Sequence, residues 1–192
     1  MRLLTLAALV VLSPLLHAQA PPQAITMHVD SAHTEIHWTL TGNMHDVHGT
    51  FRLKGGLITF NPSTGAAQGE MLVDLATGES GNRSRDTRMQ KDVLESDRYP
   101  QAIFHPMKVN GAVKPGSTQN VTVEGTFTIH GADHPFTLPI QVQVNGQTAT
   151  ATTHFSIPYA DWGMKNPSTF ILRVDKTVNV DVTANGAIEG LR

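Results

Sequence analysis

The chain has 192 residues, of which 40% are hydrophobic and 16% charged, and a single domain is expected at this length. Its 14 Lys and Arg and 16 Asp and Glu give a formal net charge of −2, which argues against a nucleic-acid-binding protein because such proteins present a basic face to phosphates. The chain contains no cysteine, which excludes disulfides, thiolate catalysis and Cys-ligated zinc or iron–sulfur sites.

Residues 1–20 have the composition of a secretory signal peptide. Arg2 precedes an apolar stretch that starts at Leu3 and is too short to span a bilayer, which requires about 20 residues. Small residues follow, with Ala18 and Ala20 as the two candidate cleavage sites. We therefore predict an exported mature domain over residues 24–192 that is periplasmic or secreted.

Apolar and polar residues alternate with period two through most of the remaining chain, which is typical of antiparallel strands with one dry and one wet face. The predicted strands cover residues 34–40, 47–53, 57–60, 71–75, 102–109, 119–130, 136–144, 149–157 and 172–182. The predicted turns lie at residues 54–56, 61–62, 131–134 and 145–146, the last being the hairpin signal Asn-Gly.

Residues 80–94 interrupt this alternation and predict a short helix between two strands. Ser80 or Asn82 can cap its N-terminus, and Met89, Val93 and Leu94 form a narrow apolar stripe. The helix is expected to end before Tyr99-Pro100.

No set of helices is available to cover the apolar face of eight or nine strands, so the sheet is expected to close on itself. Closure removes both edges and encloses that face, and eight strands leave room for side chains or for one small ligand. We therefore predict an all-β fold, an extended antiparallel barrel of about eight strands with the short helix crossing near one mouth. A two-sheet sandwich is the alternative with the same pattern.

The inward-facing residues are expected to line the barrel lumen and to bind any ligand held there. These residues are Ile36, Trp38, Leu40, Val121, Val123, Phe127, Ile129, Phe136, Leu138, Ile140, Phe155 and Ile157. Arg85, Arg88, Met89 and Trp162 are the candidates for the mouth. Arginines suit an anionic head group because their guanidinium forks bind phosphate oxygens in pairs.

An ordered set of short segments resembles the YceI-like, polyisoprenoid-binding proteins of bacteria. The resemblance covers about residues 27–186 and is carried by Val29–Thr34, His45–Phe51, Arg85-Asp86, Val93–Phe104, Val123–Gly131 and Asp161–Met164. It implies a lipocalin-like barrel whose apolar lumen takes a long isoprenoid chain, of the polyprenyl or quinone type. It also implies a protein that is commonly exported and often a dimer. For this chain we expect a non-enzymatic function without a cofactor, in which a homodimer and transient contact with membranes are possible.

Two alternative functions remain open from the sequence. Ten histidines invite a metal-binding or metal-dependent enzymatic function, and His33, Glu35 and His37 share one strand face that His28 could join. These residues are also explained as a wet outer face, and no metal ligand is predicted. A filled barrel that acts as an interaction module is the other alternative. Neither a G-x-S-x-G motif nor a P-loop is present.

Overall fold

The computed structural model describes residues 23–191, and these residues form a mostly β structure. Their strands are β1 Ile25–Val29, β2 Glu35–Leu40, β3 Val47–Phe60, β4 Ala67–Glu79, β5 Gln101–Asn110, β6 Thr118–Ile129, β7 Ala132–Asn145, β8 Thr148–Ile157 and β9 Val178–Glu189. Their helical segments are a 3-10 turn at Ser31–His33, the α-helix α1 at Arg83–Arg88 and a π-helical turn at Met89–Leu94. The predicted signal peptide lies outside the described residues.

The strands form one closed antiparallel barrel. Along the sheet the order is β1-β3-β2-β9-β8-β7-β6-β5-β4, and pairing of β3 with β4 closes the ring. Both β1 and β2 lie between β3 and β9, so the nine strands within residues 23–191 fill eight positions. The predicted barrel is confirmed, and so is the short helix at one end.

The interruption between β1 and β2 is held together by hydrogen bonds. Asp30 accepts hydrogen bonds from the backbone N–H of Ala32 at 2.9 Å and contacts the Nδ1 atom of His33 at 2.7 Å. Asn185 on β9 accepts from the Asp30 backbone N–H at 2.8 Å and donates to the His33 carbonyl at 2.7 Å. These bonds keep both strand pieces beside β9 across the 3-10 turn.

The predicted turn at residues 54–56 is wrong, because β3 runs through this point as one long strand. The pairing of β3 with β4 shifts register between Leu53 and Gly55, so the two glycines form a bulge that bends the strand without ending it. A Cβ atom on Gly56 would collide with the sulfur of Met71. The absence of a side chain at Gly56 therefore leaves room for the Met71 side chain of β4.

The predicted strand over 172–182 is also displaced, since β9 begins only at Val178. Residues 158–177 form an irregular connection, which we call the strap. It is fixed to the loop between β2 and β3, where the Asn43 backbone N–H donates to the Arg173 carbonyl at 2.9 Å and Gly42 forms a bridge with Val174. The apolar alternation at Leu172 and Val174 therefore belongs to a covering segment.

The hairpins on either side of β7 are tight. Asn145 pairs with Thr148, so the two turn residues are Gly146 and Gln147, one residue later than predicted. Gly146 has the positive φ of 62° that this turn requires. The β6–β7 turn is shorter than predicted, with His130 and Gly131 as its two residues, at φ 53° and 76°. Two positive φ angles in succession match the twist of a two-residue hairpin.

The interior of the barrel is divided into two halves. The half that holds β1 is filled by its own side chains, and we call it the packed half; its buried residues include Ile25, Leu53, Phe60, Val109, Val121, Val123, Val142, Val144 and Ile188. The other half lies next to α1 and the strap.

No helix among residues 23–191 is long and apolar enough to cross a membrane.

We predict that replacing Asp30 with alanine destabilises the protein at neutral pH. The hydrogen bond with His33, followed by that from the Ala32 backbone, lowers the pKa of Asp30 below its ordinary value of 3.8. A lowered carboxyl pKa stabilises the fold above about pH 4, and this contribution is lost as the pH falls through the native pKa. Urea unfolding should therefore show a difference between wild type and Asp30→Ala at pH 7 that shrinks near pH 3.

The Asp30→Asn variant is the matched control. Its amide oxygen still accepts the Ala32 hydrogen bond, so it should fall between wild type and Asp30→Ala at pH 7. An Asp30→Ala difference that stays constant from pH 7 to pH 3 would contradict the electrostatic part of this account.

Candidate ligand-binding cavity

A cavity of about 480 Å³ occupies the barrel half next to α1 and the strap. This volume lies within the range of about 300–1,000 Å³ that is common for small-molecule sites. The barrel wall is apolar and consists of Ile36, Trp38, Leu40, Val47, Phe51, Val73, Leu75, Ala102, Phe127, Ile129, Phe155, Ile157, Val178, Val180 and Val182. The barrel is therefore not filled throughout. The interaction-module alternative assumed a completely filled barrel.

The helical segment covers one side of the cavity mouth. Asn82 caps α1, its side-chain oxygen accepting from the backbone N–H groups of Ser84 at 3.1 Å and Arg85 at 3.2 Å. Of the two predicted caps, Asn82 is the one used. The predicted stripe of Met89, Val93 and Leu94 lines the cavity.

The two arginines of the mouth have different surroundings. Arg85 donates from Nε to the Ser80 hydroxyl at 2.7 Å and from Nη2 to the Ser80 carbonyl at 2.8 Å, so its guanidinium ties α1 to the end of β4. Arg88 donates from Nη2 to the Pro167 carbonyl at 3.3 Å and lies 4.0 Å from the carboxylate of Asp92. With its side chain 47% exposed, Arg88 is the more available cation.

The strap covers the other side of the mouth. The Tyr159 hydroxyl donates to the Asp175 carbonyl at 2.7 Å, which joins the beginning of the strap to its end. Burial raises the pKa of Tyr159 to about 12, and the nearby charge of Asp175 adds to the effect. Tyr159 is thus a neutral donor at physiological pH. Between these anchors, side chains of the strap line the cavity: Met164, Pro167, Leu172 and Val174.

The structure brings ten of the sequence-predicted site residues to this cavity. They are Ile36, Trp38, Leu40, Phe127, Ile129, Phe155 and Ile157 on the wall, and Arg85, Arg88 and Met89 at the mouth. The other six lie elsewhere: Val121, Val123, Leu138, Phe136, Ile140 and Trp162. Val121, Val123 and Leu138 are buried where the interior is filled by side chains, so they face inward without meeting the void.

Trp162 and Phe136 belong to an aromatic cluster beside the cavity. The indole of Trp162 stacks on His134 with ring centroids 3.9 Å apart, and lies 6.0 Å from Phe127 and 5.8 Å from Phe136. The cluster lies at the N-terminal end of β7. This end does not pair with β8, because the β7–β8 pairing covers only Ile140 to Asn145 of β7. Trp162 therefore packs in this aromatic cluster and does not itself line the cavity.

Comparison with known proteins identifies the family. The YceI-like domain matches residues 27–186, which is most of the chain. The chain belongs to the YceI-like family. The resemblance seen in its sequence motifs is thus confirmed over the same residues. A search of curated proteins gave no match.

Solved structures with the same fold have low sequence identity to this YceI-like chain. BcnA of Burkholderia cenocepacia is 22% identical, with a TM-score of 0.67 over 82% of this chain and 99% of that one. A polyisoprenoid-binding domain from Saccharophagus degradans, implicated in plant cell wall breakdown, is 18% identical, with a TM-score of 0.66 over 84% and 98%. The YCEI protein of Campylobacter jejuni is 16% identical, with a TM-score of 0.55 over 77% and 84%. At these identities the likeness establishes the fold.

Several cavity residues of this YceI-like barrel were not among the sequence candidates. They are Val47, Phe51, Val73, Leu75, Ala102, Val178, Val180 and Val182 on the strands, with Asn82, Ser84, Tyr159 and Met164 at the covers. The strand residues carry the same period-two alternation as the residues that were selected. The signal for the covers was weaker, because neither the π-helical turn nor the strap has a strand period.

The histidines considered for a metal site point to separate partners. His33 contacts Asp30 at 2.7 Å, and the Nε2 atom of His37 lies 3.7 Å from a Glu35 carboxylate oxygen. All four side chains are largely exposed. Residues 23–191 contain no group of three or more His, Asp or Glu arranged to hold a metal ion.

We predict that Tyr159→Phe loosens the strap. Loss of the bond to the Asp175 carbonyl should lower the free energy of unfolding by about 1 kcal/mol. The same variant should lose a pH dependence, because a raised tyrosine pKa stabilises the fold below about pH 10 and this contribution disappears as the pH rises toward 12. Chemical denaturation between pH 9 and pH 11.5 measures both effects.

Tyr99→Phe is the matched control, since Tyr99 is the other tyrosine of the chain and lies outside the strap. Equal alkaline slopes for wild type and Tyr159→Phe would show that the buried hydroxyl is not the group responsible.

Proposed function

We propose that this chain is a non-enzymatic binding protein that acts outside the cytoplasm and holds the hydrocarbon tail of an isoprenoid lipid, of polyprenyl or quinone type, in the barrel cavity. The observation that carries the proposal is the apolar cavity beneath two covers. A solved relative of the same fold is described as a polyisoprenoid-binding domain, which supports the choice of ligand class. The signal-peptide pattern of residues 1–20 supports export.

Burial of hydrocarbon is sufficient for useful affinity. Each methylene removed from water contributes about 0.8 kcal/mol, so one five-carbon isoprene unit contributes roughly 4 kcal/mol before ordering costs. Three units contribute about 12 kcal/mol, which leaves about the −8.2 kcal/mol of micromolar binding after an association cost of about 4 kcal/mol. No catalytic group is needed, and the described residues that line the cavity include no His, Asp or Glu.

The size of the cavity limits how much of a tail it holds. At about 30 Å³ per heavy atom, the space of a water molecule in the liquid, a cavity of about 480 Å³ takes on the order of fifteen atoms. This corresponds to a tail of about three isoprene units. The packed half blocks the barrel axis beyond Phe127, so the remainder of a longer chain would extend out through the mouth.

The head of the ligand would lie beside α1. Arg88 is half exposed and has a guanidinium held only by one long hydrogen bond and a distant carboxylate. Asn82 and Ser84 lie at the same rim. A cation with two polar neighbours suits a phosphate or diphosphate head, while Arg85 is already engaged by Ser80.

We predict that filling the cavity weakens tail binding by more than tenfold. Val178→Trp should displace at least three methylene equivalents of ligand, a loss of about 2.4 kcal/mol or more than tenfold in affinity for farnesol. Displacement of the fluorescent probe N-phenyl-1-naphthylamine measures it. Organic extraction and mass spectrometry of protein purified from an exporting bacterium should show a co-purified lipid in wild type that is depleted in the variant.

Asn179→Trp is the matched control because it places the same side chain on the adjacent residue of β9, which does not line the cavity. It should bind the probe as wild type does. If Val178→Trp keeps its melting temperature and its full lipid occupancy, the ligand does not occupy this cavity and the proposal is wrong.

We predict that Arg88 favours ligands with a diphosphate head group over ligands with a neutral hydroxyl head group. Arg88→Gln should weaken binding of farnesyl diphosphate by about two- to fivefold, since an exposed ion pair contributes up to ~1 kcal/mol, and leave farnesol unchanged. The difference should disappear at 1 M salt. Isothermal titration calorimetry measures both ligands, and Arg83→Gln on the same helix serves as control. Equal losses for both ligands would assign Arg88 to packing of the mouth.

A further inference from the structure

Three large apolar side chains protrude into solvent at the cavity end. Phe170 is 93% exposed, Ile171 74% and Met44 68%. Phe170 and Ile171 belong to the strap, and Met44 to the loop at residues 41–46 between β2 and β3. We call these three residues the apolar tip.

Hydrogen bonds join the two loops that carry the tip. Asn43 donates from Nδ2 to the Ile171 carbonyl at 3.2 Å, and its side-chain oxygen accepts from the Arg173 backbone N–H at 3.0 Å. The tip is thus presented by one connected structure in which the backbone of Asn43 is also bound to the strap. Three large apolar side chains held outward on two joined loops make this region a candidate interaction surface.

The tip adjoins the cavity mouth. Leu172 and Val174, directly after the tip residues of the strap, line the cavity, as do Leu40 and Val47 on the strands that flank the other loop. A body that contacts the tip therefore lies next to the entrance of the cavity.

The cavity end also differs from the rest of the molecule in charge. Its three segments, residues 41–46, 80–94 and 158–177, carry seven Lys and Arg and five Asp. The remaining described residues carry five Lys and Arg and eleven Asp and Glu. An anionic surface would therefore attract these three segments more than the rest of the described molecule.

We propose that the apolar tip docks the cavity end onto a lipid bilayer that contains anionic head groups. Phe170, Ile171 and Met44 enter the boundary between head groups and acyl chains, while cations around the mouth remain among the head groups. This proposal rests on the proposed function for its biological purpose, because docking would bring the cavity mouth to the phase that holds its lipid.

A second copy of the chain is a less suitable occupant of the tip. Stable protein interfaces bury about 800 Å² per partner, whereas even a fully exposed aromatic side chain offers only about 150–250 Å². Three such side chains fall short of that area, and a fluid bilayer can accommodate isolated protruding side chains without a complementary surface.

Co-sedimentation with vesicles tests the proposal. The vesicles contain phosphatidylethanolamine and phosphatidylglycerol in a three-to-one ratio, with pure phosphatidylcholine as the uncharged comparison. Wild type should bind the anionic vesicles more strongly, and Phe170→Ser/Ile171→Ser should reduce the partition coefficient by about tenfold or more. Met44→Ser should lower it severalfold. Met107→Ser is its matched control, because Met107 on β5 is 64% exposed and lies outside both loops of the tip.

Three outcomes would overturn the proposal: absence of wild-type binding to anionic vesicles at low salt, equal binding by the double variant, or a wild-type dimer in sedimentation velocity that the double variant abolishes. Farnesol binding in vesicle-free buffer separates this proposal from the proposed function. Tip variants should keep it. If farnesol never enters the cavity but the tip variants lose vesicle binding, docking stands and the isoprenoid proposal fails.

Discussion

The structure depends on closure of one antiparallel sheet through the pairing of β3 with β4. Closure leaves no open edge and turns every inward-facing side chain toward one axis. Since eight strands enclose an interior only just wide enough to fill, the size of the side chains at each level decides whether that level is solid or hollow. Leu53, Phe60 and the valines of β6 and β7 fill one half, and the other half retains a cavity.

The two halves of the barrel have different roles: the packed half supplies the solid core, and the other half holds the cavity. A dry void loses the dispersion contacts that its lining atoms would otherwise make, so a barrel that was hollow throughout would be difficult to stabilise. The packed half supplies a core in which Val144 has no exposed surface. The hollow half is covered by segments outside the strand ladder, which are fixed at their ends by specific bonds, such as those of Arg85 to Ser80 and of Tyr159 to Asp175.

The sequence could predict which face of each strand is buried. It could not predict how far along the barrel axis a buried residue lies, which we call its level. Phe127 and Val123 are four residues apart on the same face of β6, yet only Phe127 lines the cavity, because their level depends on register with β5 and β7. Leu172 and Val174 alternate as a strand would and instead cover the mouth, since their partner is the loop at residues 41–46. Local pattern and capping were sufficient for Asn82 and Met89, whose interactions lie within a few residues along the chain.

A water-insoluble ligand has to enter and leave the cavity, and the free energy of this step depends on what the mouth opens onto. Exposing a fifteen-carbon tail to water costs about 12 kcal/mol at 0.8 kcal/mol per methylene, and a barrier of this size slows a step by more than about 10⁸-fold. A mouth that opens into water would therefore trap its ligand, whereas one that opens against an apolar phase would not. The strap carries apolar side chains on both of its sides. Leu172 and Val174 line the cavity, while the neighbouring Phe170 and Ile171 are exposed to the outside. On the proposed function, a single covering segment would seal the tail in solution and provide the apolar contact across which the tail leaves.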